Sequence, residues 1–200
     1  VSRRAASPYQ RADSFTKAAK SQGYPARSVF KLEEIDRRVR LLRRGQHVLD
    51  LGAAPGSWTL YAADKVGPSG RVLAVDLQAI TVPLSPQAKA VQGSALDLSN
   101  EDLALFGPYD VVLSDMAPST TGDRMTDQAR SQELFLRALD VAKALGKPGS
   151  SFVGKLFMGG ELPQAKEGVR LAYDEVRLLR PDATRAQSFE VFVVGLGKKT

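Results

Sequence analysis

The feature that most constrains this chain is the run His47-Val48-Leu49-Asp50-Leu51-Gly52-Ala53-Ala54-Pro55-Gly56-Ser57-Trp58. A short apolar segment of this kind reads as a buried strand, and the glycines mark a turn. The pattern that follows, Ser57 to Val66, has helical spacing. A second apolar strand, RVLAVDL, ends in an acid at Asp76. Strand, glycine turn, helix and strand in succession predict a parallel sheet covered by helices. In such sheets ligands bind beyond the carboxyl ends of the strands.

The rest of the chain continues the alternation. Residues 88–92 suggest a third strand, 100–106 a short helix, and YDVVLSDM at 109–116 a fourth strand. A long helix is expected over 127–145, a fifth strand over 150–157, and a helix over 163–173. Residues 175–179 form a weak strand pattern and 189–196 a strong one. The loop between these two is too short for a helical crossover, so they are expected to form an antiparallel pair at one edge. Before the first strand, residues 7–22 and 26–39 have helical character, the second with Val29, Leu32, Ile35 and Val39 on one face. The expected organisation is one domain over 1–200, with a basic helical extension at 1–44 leading into the core at 45–200.

Composition narrows the chemistry. The 200 residues carry no cysteine and one histidine, His47. Disulfides, thiolate nucleophiles, cysteine-bound zinc and multi-histidine metal sites are therefore excluded, and no metal is expected. No apolar run approaches the roughly 18 residues of a membrane span. A cytoplasmic monomer without membrane contact is the expectation. The net charge is +6, and residues 1–44 hold 12 of the 28 Lys and Arg against 4 of the 22 Asp and Glu. A basic segment on a near-neutral body suits a polyanion such as a nucleic acid, or is a solvated face that aids solubility. Arg3, Arg4, Arg11, Lys17, Lys20, Arg37 and Arg38 are the candidate phosphate contacts.

The glycine turn does not have the G-x-G-x-x-G spacing of dinucleotide folds. Asp50 instead precedes Gly52 by two residues, with Gly56 four further on. A carboxylate there suits a cationic ligand, and S-adenosylmethionine brings an ammonium and a sulfonium. Asp76 is placed to accept from ribose hydroxyls. Trp58, just past the turn, is a candidate cofactor contact or a core residue. Ser94 or Asp97, after the third strand, is the candidate for the adenine amino group.

Several segments together resemble the FtsJ/RrmJ family of ribose 2′-O-methyltransferases. They are SVFKLEEID at 28–36, DLGAAPGSW at 50–58, AVDL at 74–77, LSDMAP at 113–118, VGKLF at 153–157 and RPDATRAQSFEVFVV at 180–194. The resemblance covers nearly the whole chain. It implies a Rossmann-like S-adenosylmethionine-dependent methyltransferase fold, an α/β arrangement with a mostly parallel seven-stranded sheet, an antiparallel edge strand and helices on both faces. It also implies a Lys-Asp-Lys-Glu tetrad, matched here by Lys31, Asp115, Lys155 and Glu190. Asp115 is placed beside the cofactor as well. Bacterial members of this length methylate a uridine ribose in the aminoacyl-site loop of large-subunit rRNA, so that RNA or the 50S particle is the implied partner. One departure is Gly93-Ser94, where the family commonly has Gly-Asp.

Within the tetrad Lys155 is the candidate general base, since the chain offers no histidine or cysteine in a motif. Lys31 and Asp115 would tune or orient it, and Glu190 would hold Lys31 or the ribose. Three other readings fit parts of the sequence. They are methylation of tRNA or another rRNA site, a noncatalytic RNA-binding protein with this fold, and a nicotinamide dehydrogenase, against which the absent G-x-G-x-x-G argues.

Overall fold

The computed structural model describes residues 8–185 and 187–200. In chain order the elements are α1 (Pro8–Ser21), α2 (Val29–Val39), β1 (His47–Leu51), α3 (Ser57–Val66), β2 (Arg71–Asp76), β3 (Ala88–Gln92), α4 (Asn100–Leu103), β4 (Tyr109–Ser114), α5 (Arg124–Leu145), β5 (Gly146–Phe157), α6 (Leu162–Ala172), β6 (Tyr173–Leu179) and β7 (Glu190–Lys198). The seven strands form one sheet in the order β3-β2-β1-β4-β5-β7-β6.

Each central strand is apolar on both faces, so each needs cover on both sides. Along β1, Val48 faces one core with Val72, Val111, Leu113 and Val153, under Leu32 and Ile35 of α2 and Ala62 and Val66 of α3. Leu49 and Leu51 face the other core with Leu73, Val75 and Val112, under Phe135, Ala138 and Ala142 of α5 and Val169 of α6. Single-residue alternation of these side chains is the period of an extended chain. α2 is thus built into the core, with Val29, Leu32 and Ile35 essentially unexposed.

The antiparallel pair lies at one edge of the sheet as expected, with a difference in detail. The strand that runs against the rest is β7, which pairs antiparallel with both β5 and β6. It sits one place in from the edge, and β6 is the edge itself. Burial explains the order. Val191, Phe192, Val193 and Val194 are all buried and need neighbours on both sides. In β6 exposed residues recur, and Leu178 is partly open to solvent.

Several boundaries shift from the sequence expectation. α5 starts at Arg124, where Asp123 caps the Thr126 amide at 2.8 Å. Such a carboxylate cap satisfies an otherwise orphan helical N–H. β5 starts at Gly146, and its pairing with β4 slips between Tyr109 and Val111. Tyr173 leaves the helix and opens β6, its ring stacked on Phe152 at 6.2 Å. α4 is only four residues long, closed at its start by a capping box between Ser99 and Asp102.

Candidate active site

Three strand ends are stitched together at the carboxyl edge of the sheet. After β1 the chain turns through Gly52 (φ 76°), and the amides of Gly52 and Ala53 donate to the Val75 carbonyl at 2.9 and 3.2 Å. After β4 the Asp115 amide donates to the Leu51 carbonyl at 3.1 Å. A Cβ on Gly52 would lie 2.7 Å from the Met116 backbone nitrogen, so only glycine lets these two loops meet. Gly56 (φ 112°) is equally constrained, since a Cβ there would lie 2.7 Å from Val82.

Asp76 ends β2 and holds this turn. Its Oδ2 accepts from the Ala54 amide at 2.9 Å and its Oδ1 from the Gln78 amide at 2.8 Å. A carboxylate has about four lone-pair sites, so it retains capacity for ligand hydroxyls. Asp50 is fully buried, and its Oδ2 accepts from the Thr59 hydroxyl at 2.7 Å. Its Oδ1 is buried without a hydrogen-bond partner. Burial pushes the Asp50 carboxyl up to about 7; the Thr59 bond opposes this, while the charges of Asp115 and Asp76 add to it. Three carboxyl groups therefore converge on the ends of β1, β2 and β4. An orphaned buried oxygen within such a cluster fits a cationic ligand.

Trp58 is placed differently from the cofactor contact considered above. It is 2% exposed, its Nε1 donates to the Ser28 carbonyl at 2.8 Å, and its ring lies 5.7 Å from that of Phe192. It ties α3 to the start of α2, because an indole N–H in a core must find an acceptor. Asp97 is exposed in the loop after β3, with its backbone amide on the Ser94 carbonyl. The Ser94 hydroxyl accepts from the Leu96 amide at 3.1 Å.

The four tetrad residues come from four elements and meet on one face. Lys155 lies on β5, Asp115 follows β4, Glu190 opens β7 and Lys31 descends from α2. Lys155 pairs in register with Phe192, and Phe157 with Glu190, so Lys155 and Glu190 share a face. Lys155 Nζ donates to the Asp115 carbonyl and lies 2.9 Å from Asp115 Oδ1. Lys31 Nζ forms an ion pair with Glu190 and stands 5.9 Å from the centroid of the Phe192 ring. All four side chains are largely buried, Lys155 the most at 6% exposure. Burial alone would raise the Glu190 carboxyl; the charge and hydrogen bond of Lys31, with the charge of Lys155, more than reverse it and hold it below its ordinary value.

Two arginines that sequence reasoning did not single out border the tetrad. A cavity of about 450 Å³ is lined by Arg27, Ser28, Lys31, Arg185, Ser188 and Glu190. The Arg27 guanidinium is held below its ordinary value by burial and then by the charge of Arg185, against the opposing effect of Glu190. Two guanidinium groups thus face one space beside Lys31, an arrangement suited to an anionic group. The usable signal was proximity in sequence, since Arg27 stands four residues before Lys31, in the turn that leads into α2. Among the basic residues expected to meet phosphates, Lys17, Lys20, Arg37 and Arg38 are exposed, and Arg38 also pairs with Glu34. Arg3 and Arg4 and the side chain of Arg11 lie outside the described residues.

The sequence matches the FtsJ-like methyltransferase family over residues 24–198. The chain belongs to that family. Among its relatives, the ribosomal RNA large subunit methyltransferase E of Sorangium cellulosum is 63% identical over 199 residues, covering 100% of this chain and 94% of that protein. The protein of the same name from Myxococcus xanthus is 44% identical over 198 residues, covering 96% and 92%. Solved structures bear out the fold of this FtsJ-like methyltransferase. A Plasmodium falciparum ribosomal RNA methyltransferase superposes with a TM-score of 0.74 at 21% identity, covering 88% of this chain and 98% of that one. Aeropyrum pernix fibrillarin, solved with S-adenosylmethionine, superposes with a TM-score of 0.56 at 14% identity, covering 77% and 67%.

Proposed function

We propose that this FtsJ-like methyltransferase methylates the 2′-hydroxyl of a ribose in large-subunit ribosomal RNA, at a uridine of the aminoacyl-site loop. The observation that carries the reading is the juxtaposition of two clusters. Three carboxyl groups gather at the ends of β1, β2 and β4, and Asp115 belongs both to them and to the Lys31–Asp115–Lys155–Glu190 tetrad. The relatives' names supply the ribosomal RNA, and the cavity between Arg27 and Arg185 suits an RNA phosphate.

S-adenosylmethionine, when bound, supplies a methyl group that is already activated by its sulfonium. Asp50, Gly52, Gly56, Asp76 and Asp115 would hold it. Asp76 offers its remaining acceptor sites to hydroxyls, and Asp50 and Asp115 offer negative charge. Ser94 or Asp97 would border the adenine.

The chain's own task is to prepare a sugar hydroxyl, which is a poor nucleophile. Lys155, as its neutral amine, would accept the proton that the ribose hydroxyl gives up when it takes the methyl group from sulfur. Asp115 orients that amine through its carbonyl and carboxylate. The Lys31–Glu190 pair fixes the floor on which the ribose rests, and alignment of the reacting atoms lowers the barrier further. The partner is the RNA itself or the 50S particle that carries it, met in the cytoplasm by a single copy of the chain.

Mapping 2′-O-methylation across total RNA from cells with and without this protein tests the reading. One uridine of the aminoacyl-site loop should lose its methyl group in the deletion strain. Loss at a tRNA position instead, with the large-subunit RNA unchanged, would overturn the assignment.

A further inference from the structure

A second cavity, of about 310 Å³, adjoins the tetrad and has a different character. Arg124, Asp127, Gln128, Phe157, Ser188 and Phe189 line it. Its walls include two phenylalanine rings, and one of them is conspicuously open: Phe189 is 49% exposed although it immediately precedes the buried Glu190. The Arg124 guanidinium lies over that ring, 4.1 Å from its centroid. Arg124 has no carboxylate partner within salt-bridge distance among the described residues.

The cavity neighbours the site. Ser188 lines both this space and the one between Arg27 and Arg185. Phe157 is the register partner of Glu190, so this wall begins one residue pair from the tetrad floor. Gln128 stands at the same wall, its amide nitrogen fixed on the Met158 carbonyl at 2.6 Å, which leaves the amide oxygen free to accept. Asp127 accepts from the Thr121 amide and hydroxyl and so holds the loop that leads into α5, whose first residue is Arg124.

A flat ring, a guanidinium plane and an amide acceptor, set beside the cavity that Arg27 and Arg185 border, form the surface on which single-stranded nucleic acid places a splayed-out base. We propose that this cavity receives the unstacked base of a nucleotide next to the methylated one. The proposal rests on the RNA methyltransferase reading above and adds to it a base-binding site in which Phe189 and Arg124 form the stacking surface. Holding a neighbouring base there keeps the target ribose turned toward Lys155.

The test uses naked RNA carrying the target loop. Phe189→Ala should weaken RNA binding by roughly 5- to 150-fold, the range for losing one base stacked on an aromatic ring. Affinity for S-adenosylmethionine should not change. Phe189→Trp should restore binding and Phe189→Leu should not, because leucine offers apolar bulk without a π-face. RNAs with an abasic site placed at each nucleotide flanking the target should show one position where wild type loses affinity. At that position Phe189→Ala should lose nothing more. Equal RNA affinity for Phe189→Ala and wild type would overturn the proposal. So would a loss seen only on the assembled 50S particle, which would assign the surface to a ribosomal protein. Failure of wild type to methylate either this RNA or the 50S particle that carries it would instead strike the parent reading, and the base site with it.

Discussion

Lys155 Nζ donates to the backbone carbonyl of Asp115 and lies 2.9 Å from the carboxylate of the same residue. One residue therefore holds the amine through two groups, one of which cannot titrate. Lys155→Ala should lower methyl transfer by about 10²–10⁴, as removal of a general base does. The fold and S-adenosylmethionine binding should survive, because β5 keeps its backbone pairing with β4 and β7 on either side. Asp115→Ala should be as severe, since it both frees the amine and removes one of the three converging carboxyl groups. Single-turnover methylation is the measurement; near-normal rates in Lys155→Ala would mean that alignment alone drives the reaction.

The Lys31–Glu190 pair is also mostly out of water. Lys31→Met leaves a buried carboxylate without its cation and should cost about 3–5 kcal/mol at neutral pH, as breaking a buried pair does. The pH dependence has a definite sign. Glu190 titrates below its ordinary value in the folded protein, so its contribution is in place above the unfolded-state value and disappears as pH falls through the folded one. In Lys31→Met the carboxyl loses the main influence that opposed burial, and protonation relieves the penalty. The gap between variant and wild type should therefore shrink in acid. Urea unfolding at pH 7 and pH 4 reads it directly, and a gap that widens in acid would contradict the pairing.

Asp50 has the opposite sign. Its carboxyl is raised by burial from an ordinary value of 3.8 to about 7. Between those values the folded chain keeps a proton that the unfolded chain has released. Stability contributed by this group should fall as pH rises through that window, by up to about 1.4 kcal/mol per pH unit. A bound cation favours the carboxylate, so S-adenosylmethionine should bind more tightly as pH approaches 7 and should expel a proton below it. Calorimetry in buffers of different ionisation enthalpy counts that proton. Asp50→Asn should abolish the proton release; an unchanged count would remove Asp50 from the ligand's surroundings.

Much of the fold is legible because strands and helices here obey their own periods. His47–Leu51 and Ser57–Val66 coincide with the expected strand and helix, and the glycines at 52 and 56 sit at the turn that demands them. The reading falters where local composition conflicts with tertiary context. Pro148 and Gly149 obscure the start of β5, and Tyr173 continues a helical pattern yet is drawn into the sheet by Phe152. Trp58 shows the limit for sites. Its position after the turn suggests a ligand, but its indole is consumed by Ser28, which lies 30 positions away in sequence. The stacking surface of Phe189 and Arg124 was invisible for the same reason, since no local pattern joins a loop phenylalanine to the first residue of α5.

The place of β7 between β5 and β6 sets the order in which the site can come into being. A nascent chain emerges amino end first. When residues up to Leu179 have left the ribosome, six strands exist, but β6 has no partner, because its only neighbour in the sheet is β7. Lys31, Asp115 and Lys155 are by then already made, with nothing yet opposite Lys31. The last strand in the chain must slot into an open seam to close the sheet, and the same event delivers Glu190 to Lys31 and Phe192 to Trp58. Completion of the sheet and formation of the Lys31–Glu190 pair are one step, so an unfinished chain of this protein exposes a strand edge and has no assembled tetrad.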